Sequence, residues 1–214
     1  SFDAAKLFYK EDIAPVFEVI LPMSKNAAEL NRIYYYYKDM VAGKQHRSLN
    51  GGNMTIAEWI GEFKPETINI IPLFEDKNDL LNADQVLKEF LKDKNTGYQR
   101  VFLARSDPAV NYGSLSAVLL NKIALQRLQK TSRELGIAFY PILGAGSAPF
   151  RGNLRPETVE RMISGYPSVH TYTIQSSFKF DHQPEEVRKA IEQINSHESG
   201  ESIEIDEKRA LDIV

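Results

Sequence analysis

Short, continuously apolar runs alternate along the chain with stretches whose apolar residues recur at helical spacing. The short runs are Val16–Pro22 (VFEVILP), Ile68–Phe74 (INIIPLF), Val101–Ala104 (VFLA), Ile137–Leu143 (IAFYPIL) and Val169–Ile174 (VHTYTI). Their length and β-branched content predict strands buried on both faces. Between them, Asn26–Ala42 carries Leu30, Ile33, Tyr34, Tyr37 and Val41 on one helical stripe and is closed by Gly43. A polar loop with Gly51 and Gly52 follows. Thr55 and Glu58 then have capping-box spacing, which predicts a short helix ending near Gly61.

Leu80, Leu81, Val86, Leu87, Phe90 and Leu91 mark the next helix. A long one is predicted from Gly113 to Leu135, with Leu115, Leu119, Ile123 and Leu128 near its inner face and Gly136 as its stop. Pro156 at a first helical position opens another that Gly165 closes, and Pro184 opens the last of the series. Beyond Ser196 the chain is polar and is expected to be loose, with the start of a further helix near Glu207.

Apolar strands each followed by a helix predict a parallel α/β sheet. A doubly wound sheet and a (β/α)8 barrel both satisfy this pattern. The Gly-x-Gly-x-x-Gly fingerprint is missing after the first strand, and polar residues gather at the C-terminal end of every strand, as in barrels. The reading is therefore part of a (β/α)8 TIM-type barrel, about five consecutive β/α units. Residues 1–196 are expected to form a partial barrel catalytic domain, and residues 197–214 a polar tail or linker. The chain opens Ser-Phe-Asp-Ala-Ala-Lys-Leu-Phe, without Met and inside an amphipathic helical pattern. It is expected to be a segment whose N-terminal neighbour lies outside it.

Bulk composition narrows the function classes. With 214 residues, 43% of them hydrophobic, the chain can bury one sizeable core. A formal charge of −3 gives no reason to expect nucleic acid, and no apolar run reaches the length of a membrane span. The absence of cysteine excludes disulfides and thiolate metal sites and fits a reducing, cytoplasmic setting.

The candidate chemistry sits where the strands end. Glu75 follows Pro72-Leu73-Phe74, and Asp107 closely follows Val101–Ala104. On successive strands of a barrel both carboxylates can approach one point at the mouth. Few hard oxygen ligands, completed by water and substrate oxygens, suit Mg²⁺ or Mn²⁺. The competing reading is helix capping, which Asp76, Asn78 or Asp107 could each perform. Gly144-Ala-Gly-Ser-Ala-Pro-Phe-Arg151-Gly152 allows close backbone approach, with free amides and the Arg151 fork available to an oxyanion. Arg105 is a second candidate anion clamp, or else an ion-pair partner for Glu75 or Asp107. His46, His170, His182 and His197 lack metal-ligand spacing and are read as structural or solvent-facing.

These strand ends resemble those of phosphoenolpyruvate carboxylase, most closely the shorter archaeal-type form. Four collinear stretches carry the likeness: Ile71-Pro-Leu-Phe-Glu75 with Asp79-Leu80 and Asn82-Ala83, Arg105-Ser-Asp107 to Gly113, Gly144 to Gly152, and Thr173-Ile-Gln-Ser-Ser-Phe178. The resemblance implies carboxylation of phosphoenolpyruvate by bicarbonate to oxaloacetate and phosphate, through carboxyphosphate and an enolate. Glu75 and Asp107 would be the Mg²⁺ (or Mn²⁺) ligands and Arg151 the catalytic loop arginine. Substrate contacts would come from Arg105, Ser106, Gly144, Gly146, Arg151, Gly152 and Gln175. A homotetramer is also implied.

Two features depart from the longer forms of the family. Leu143-Gly-Ala-Gly lacks their loop His and additional Arg, and the family's upstream catalytic His has no counterpart here. The segment alone is expected to be inactive. The alternatives are another metal-dependent enolate lyase or aldolase on the same barrel, or a catalytically silent fragment.

Overall fold

The computed structural model describes residues 7, 14 and 16–214. The helix expected across the first eight residues lies outside the described residues, apart from Leu7. The strands follow one another in the order β1-β2-β3-β4-β5 within one sheet: β1 Glu18–Leu21, β2 Asn69–Phe74, β3 Tyr98–Ala104, β4 Ala138–Gly144 and β5 Thr171–Tyr172. The pairs β2–β3, β3–β4 and β4–β5 are parallel. All five predicted strands are present, with shifted ends. The fold is α/β with strands and helices alternating, as a consecutive piece of a β/α barrel requires.

The described residues divide into two compact units, those up to 21 with 26–71 and residues 22–25 with 72–214. In the first, helix α1 (Ala27–Tyr35) starts at Asn26, whose side chain accepts the Glu29 amide at 3.0 Å, and buries Leu30 completely. It runs on into a π-helical turn over Tyr36–Val41 and a 3-10 turn over Ala42–Lys44. Helix α2 (Ile56–Ile60) has the reciprocal Thr55–Glu58 capping box and ends at Gly61, as its sequence predicts. Gln45, itself buried, joins this segment together by accepting the Phe63 amide at 2.9 Å.

The second unit contains most of the described core. Helix α3 (Lys77–Phe90) is capped by Asp76, which accepts the Asn78 amide at 3.0 Å, and buries Leu80, Ala83, Val86, Leu87 and Phe90. Two helices then stand where one was expected. Helix α4 (Ser106–Tyr112) begins directly after β3 and stops at Gly113 (φ 88°), and α5 (Ser114–Leu135) continues from there. Pro108 sits within the first turn of α4, where its missing N–H costs nothing. Gly136 ends α5 in the left-handed conformation, as predicted.

The inner face of α5 matches the expected one in part. Ile123 and Leu128 are buried as expected, but Leu115 is exposed and Leu119 half-buried, while Ala117, Leu120, Asn121, Ala124 and Thr131 are also buried. Asn121 faces inward because its buried amide donates to the Ala104 carbonyl at 3.0 Å, a polar contact that a hydrophobic pattern does not register.

Helices α6 (Val159–Gly165), α7 (Ser176–Phe180) and α8 (Pro184–Asn195) follow, the first entered through a 3-10 turn at Pro156–Thr158. The expectation of a loose polar tail is corrected here. Residues after Ser196 lie along α5 and end in helix α9 (Glu207–Ile213). The Ser202 amide donates to Gln129 Oε1 at 2.8 Å and the Ile205 amide to Gln126 Oε1 at 2.9 Å. Arg127 also pairs with Glu207, and Arg133 with Glu201. Polar residues on the outer face of α5 do much of this docking, which a reading of apolar positions alone does not register.

Candidate active site

Strand register sets the site. Phe74 pairs with Leu103, Leu103 with Leu143, and Leu143 with Tyr172, so one level row crosses β2, β3, β4 and β5. The residues beyond this row, Glu75, Ala104 to Asp107, Gly144 to Arg151 and Thr173 to Gln175, therefore emerge at the same end of the sheet. Parallel ladders and buried strands fix this geometry before any loop is considered.

They surround a cleft of about 270 Å³ lined by Glu75, Ser106, Asp107, Gly144, Arg151 and Gln175, with Thr173 and Phe102 among the other wall residues. Six of the predicted site residues are thus brought together. Glu75 Oε2 accepts the Met23 amide at 3.0 Å, and Met23 takes a positive φ of 53° there. That contact leaves Glu75 Oε1 free among the described residues. Asp107 lies in the first turn of α4, is exposed, and has no hydrogen-bond or ion-pair partner among the described residues. Capping is the work of Asp76, at the start of α3, and not of Asp107.

The loop after β4 folds back on itself. Gly146 N donates to the Arg151 carbonyl at 2.9 Å, and Arg151 N and Asn153 N both donate to Ala148 O. Ser147 N donates to Gln175 Oε1 at 3.3 Å. The amides expected to cradle an oxyanion are therefore largely used within the loop. Gly146 has a steric role instead. A Cβ there would stand 2.9 Å from Arg151 Cβ and 3.3 Å from both Gln175 Nε2 and Ser106 Oγ. Gly144 is similar, since a Cβ would lie 2.9 Å from Phe102 Cε2, and Gly152 takes a φ of 132°. The Arg151 guanidinium donates to Ser106 Oγ at 3.2 Å.

Arg105 is placed elsewhere. It is buried, forms no ion pair with Glu75 or Asp107, does not line this cleft, and donates from Nη1 to the Phe150 carbonyl at 3.0 Å. It supports the loop from behind.

Three residues that sequence reasoning missed also position the loop. Arg155 donates from Nε to the Ser147 carbonyl at 3.0 Å, Ser177 donates to Ser147 Oγ at 2.6 Å, and the Thr158 hydroxyl bonds the Asn153 carbonyl. Ser177 lies within the Thr173–Phe178 stretch already singled out, and Arg155 stands directly before the helix-opening Pro156.

Glu75 and Asp107 present oxygen donors to a common cleft, and among the described residues no third His, Asp or Glu joins them in a metal-binding cluster. A two-carboxylate donor set fits a hard divalent ion that keeps several waters and takes substrate oxygens.

The family model for phosphoenolpyruvate carboxylase matches residues 1–214. The chain belongs to the phosphoenolpyruvate carboxylase family. It is 53% identical over 214 residues to a phosphoenolpyruvate carboxylase of Methanospirillum hungatei, covering 100% of this chain and 44% of that protein. It is 52% identical over 214 residues to that of Methanothermobacter thermautotrophicus, again covering 100% of this chain and 44% of the relative. Identity to the Pyrococcus abyssi protein is 51% over 194 residues, 91% of this chain and 41% of that one. The chain thus spans less than half the length of these phosphoenolpyruvate carboxylases. Among the described residues no helix is long and apolar enough to cross a membrane.

Proposed function

We propose that the full-length protein carrying this chain is a phosphoenolpyruvate carboxylase, a cytoplasmic carboxy-lyase that converts phosphoenolpyruvate and bicarbonate to oxaloacetate and phosphate. The observation that carries the reading is one cleft shared by two carboxylates with uncommitted oxygens and the Arg151 guanidinium, in a chain of this family. Glu75 and Asp107 would hold Mg²⁺ or Mn²⁺. When bound, such an ion neutralises developing negative charge on the substrate as a Lewis acid.

The protein's own residues do the rest. Arg151 offers a planar fork to the transferring phosphoryl and carboxyl oxygens, Ser106 sets its approach, and Gln175 holds the loop through the Ser147 amide. The folded loop that carries it keeps water from the reactive species. Ser106, Gly144 and Gln175 line the substrate pocket, and Gly146 and Gly152 act on it through the fold of the loop. Arg105 contributes through the loop, by way of Phe150. A homotetramer belongs to the same proposal, as does inactivity of residues 1–214 by themselves, because the five strands among the described residues leave open sheet edges.

A metal-dependent lyase or aldolase would use the same two carboxylates without requiring Arg151. The seating of Arg151 beside Ser106 favours the carboxylase. The deciding experiment measures oxaloacetate and phosphate release by the full-length protein with and without bicarbonate. Both products should depend on bicarbonate in equal amounts. Phosphate release that ignores bicarbonate, with no oxaloacetate, would overturn the reading.

A further inference from the structure

A second concavity of about 220 Å³ lies behind the loop, between α5, α6 and the start of α4. Arg105, Lys122, Arg161 and Tyr166 line it, and Gly152 and Asn153 of the loop form one wall. No aspartate or glutamate is among its lining residues. Three cations without an adjacent counter-charge make an electropositive hollow in low-dielectric surroundings, where such fields are strong.

Two buried groups there carry donor hydrogens that meet no acceptor. Arg105 is 5% exposed and Tyr166 7% exposed, yet neither the Arg105 Nε–H nor the Tyr166 O–H reaches an acceptor. The Arg105 guanidinium lies close enough to the Tyr166 oxygen to act on it as a hydrogen-bond donor, which leaves the phenol O–H itself unspent. Burial raises the Tyr166 pKa, and Arg105 acts against that rise both by its charge and by its hydrogen bond to the phenol oxygen. Leaving a guanidinium N–H and a phenol unsatisfied in the interior costs free energy that an acceptor would recover. Arg105 has already committed Nη1 to the Phe150 carbonyl, at 3.0 Å. Lys122 donates to the Gly165 carbonyl at 2.9 Å, lies over the Tyr166 ring at 5.2 Å from its centroid, and has its pKa lowered by desolvation. Arg161 is exposed and has no hydrogen-bond or ion-pair partner among the described residues. The hollow is much larger than the roughly 10–15 Å³ that holds one water.

We propose that this hollow is a second anion site, separate from the catalytic cleft, which takes a doubly charged oxyanion of phosphate size. Its donors are the Arg105 Nε, the Tyr166 hydroxyl and the Lys122 and Arg161 side chains. They come from four points of the chain, which suits a tetrahedral acceptor better than a flat one. A bound anion would rest against the back of the segment that carries Arg151.

Calorimetric titration of the full-length protein with inorganic phosphate, in the presence of a chelator, tests the assignment. Arg151→Ala removes the anion-binding fork of the catalytic cleft and should still bind one phosphate per chain. In that background Arg161→Gln, on an exposed side chain whose loss leaves the fold intact, should weaken binding at least about tenfold, in line with loss of one charge-assisted contact. Arg161→Lys should recover most of it. Loss of all phosphate binding in Arg151→Ala, or equal affinity with and without Arg161, would overturn the proposal. Neither result depends on whether the protein carboxylates phosphoenolpyruvate.

Discussion

Arg151 donates from Nη1 to the Ser106 hydroxyl at 3.2 Å, which ties the loop after β4 to the residue immediately before Asp107. The candidate catalytic arginine and the turn that carries one candidate metal ligand are therefore joined by this contact. Replacing Ser106 with Ala should lower kcat of the full-length protein while leaving its melting temperature within a few degrees. An unchanged kcat would show that Arg151 is held by other means.

Glu75→Gln and Asp107→Asn keep side-chain volume and remove charge. A bound divalent ion contributes several kcal/mol of charge stabilisation, so each variant should lose about two to three orders of magnitude in turnover. Chelation of the wild-type protein should do the same. Asp107 makes no internal contact among the described residues, so thermal unfolding of Asp107→Asn should match the wild type. Near-normal metal-dependent rates in both variants would place the metal elsewhere.

Gly146→Ala tests the steric role of the loop glycine. A methyl 2.9 Å from Arg151 Cβ forces Arg151 off the Ser106 hydroxyl. A displacement of this kind should reduce kcat by at least about tenfold. Gly97→Ala is the control, because a Cβ at Gly97 meets nothing within 4 Å. Equal activity in the two variants would remove the argument.

Asp76 and Tyr112 give a pH-dependent contribution to stability. Tyr112 donates to Asp76 Oδ2 at 2.6 Å, and this bond is the main cause both of the lowered Asp76 pKa and of the raised Tyr112 pKa. For Asp76 the stabilisation is present above the unfolded carboxyl pKa of about 4 and is lost as pH falls through the lower folded value. For Tyr112 it is present below the unfolded phenol pKa of about 10 and is lost as pH rises through the higher folded value. The stability difference between wild type and Tyr112→Phe, read from urea midpoints, should be constant between roughly pH 5 and 9 and shrink toward both extremes. A difference that grows on acidification would contradict the assignment.

Gln129→Ala should release the C-terminal segment. Hydrogen exchange at the Ser202 amide should accelerate, and stability should fall by about 1 kcal/mol, the usual net worth of such a bond. Unchanged exchange would mean that the segment is held by its ion pairs alone.

The strands and caps were legible because they depend on local chemistry. Apolar runs, the Thr55–Glu58 pair and Gly136 each carry their meaning within a few residues. The cleft was also legible, because strand ends in a parallel sheet share one side whatever the loops do. The side-chain directions were not. Arg105 and Asp107 are two residues apart at one strand end, yet one is buried under the loop and the other faces the cleft. Helix α4 was hidden because Arg-Ser-Asp-Pro reads as a loop until Pro108 is seen within a first helical turn. The C-terminal docking was invisible for a related reason: glutamines on α5 recognise backbone amides, and neither partner is apolar.

The level row through Phe74, Leu103, Leu143 and Tyr172 works as a gauge. Spacing among the acids and the loop is measured out in whole residues of ladder, about 3.3 Å at a time, with side chains changing face at every step. The site cannot be adjusted gradually from within the strands. A deletion in β3 would move Asp107 by one full increment and turn its neighbours to the other face, so fine variation is left to the segments beyond the row.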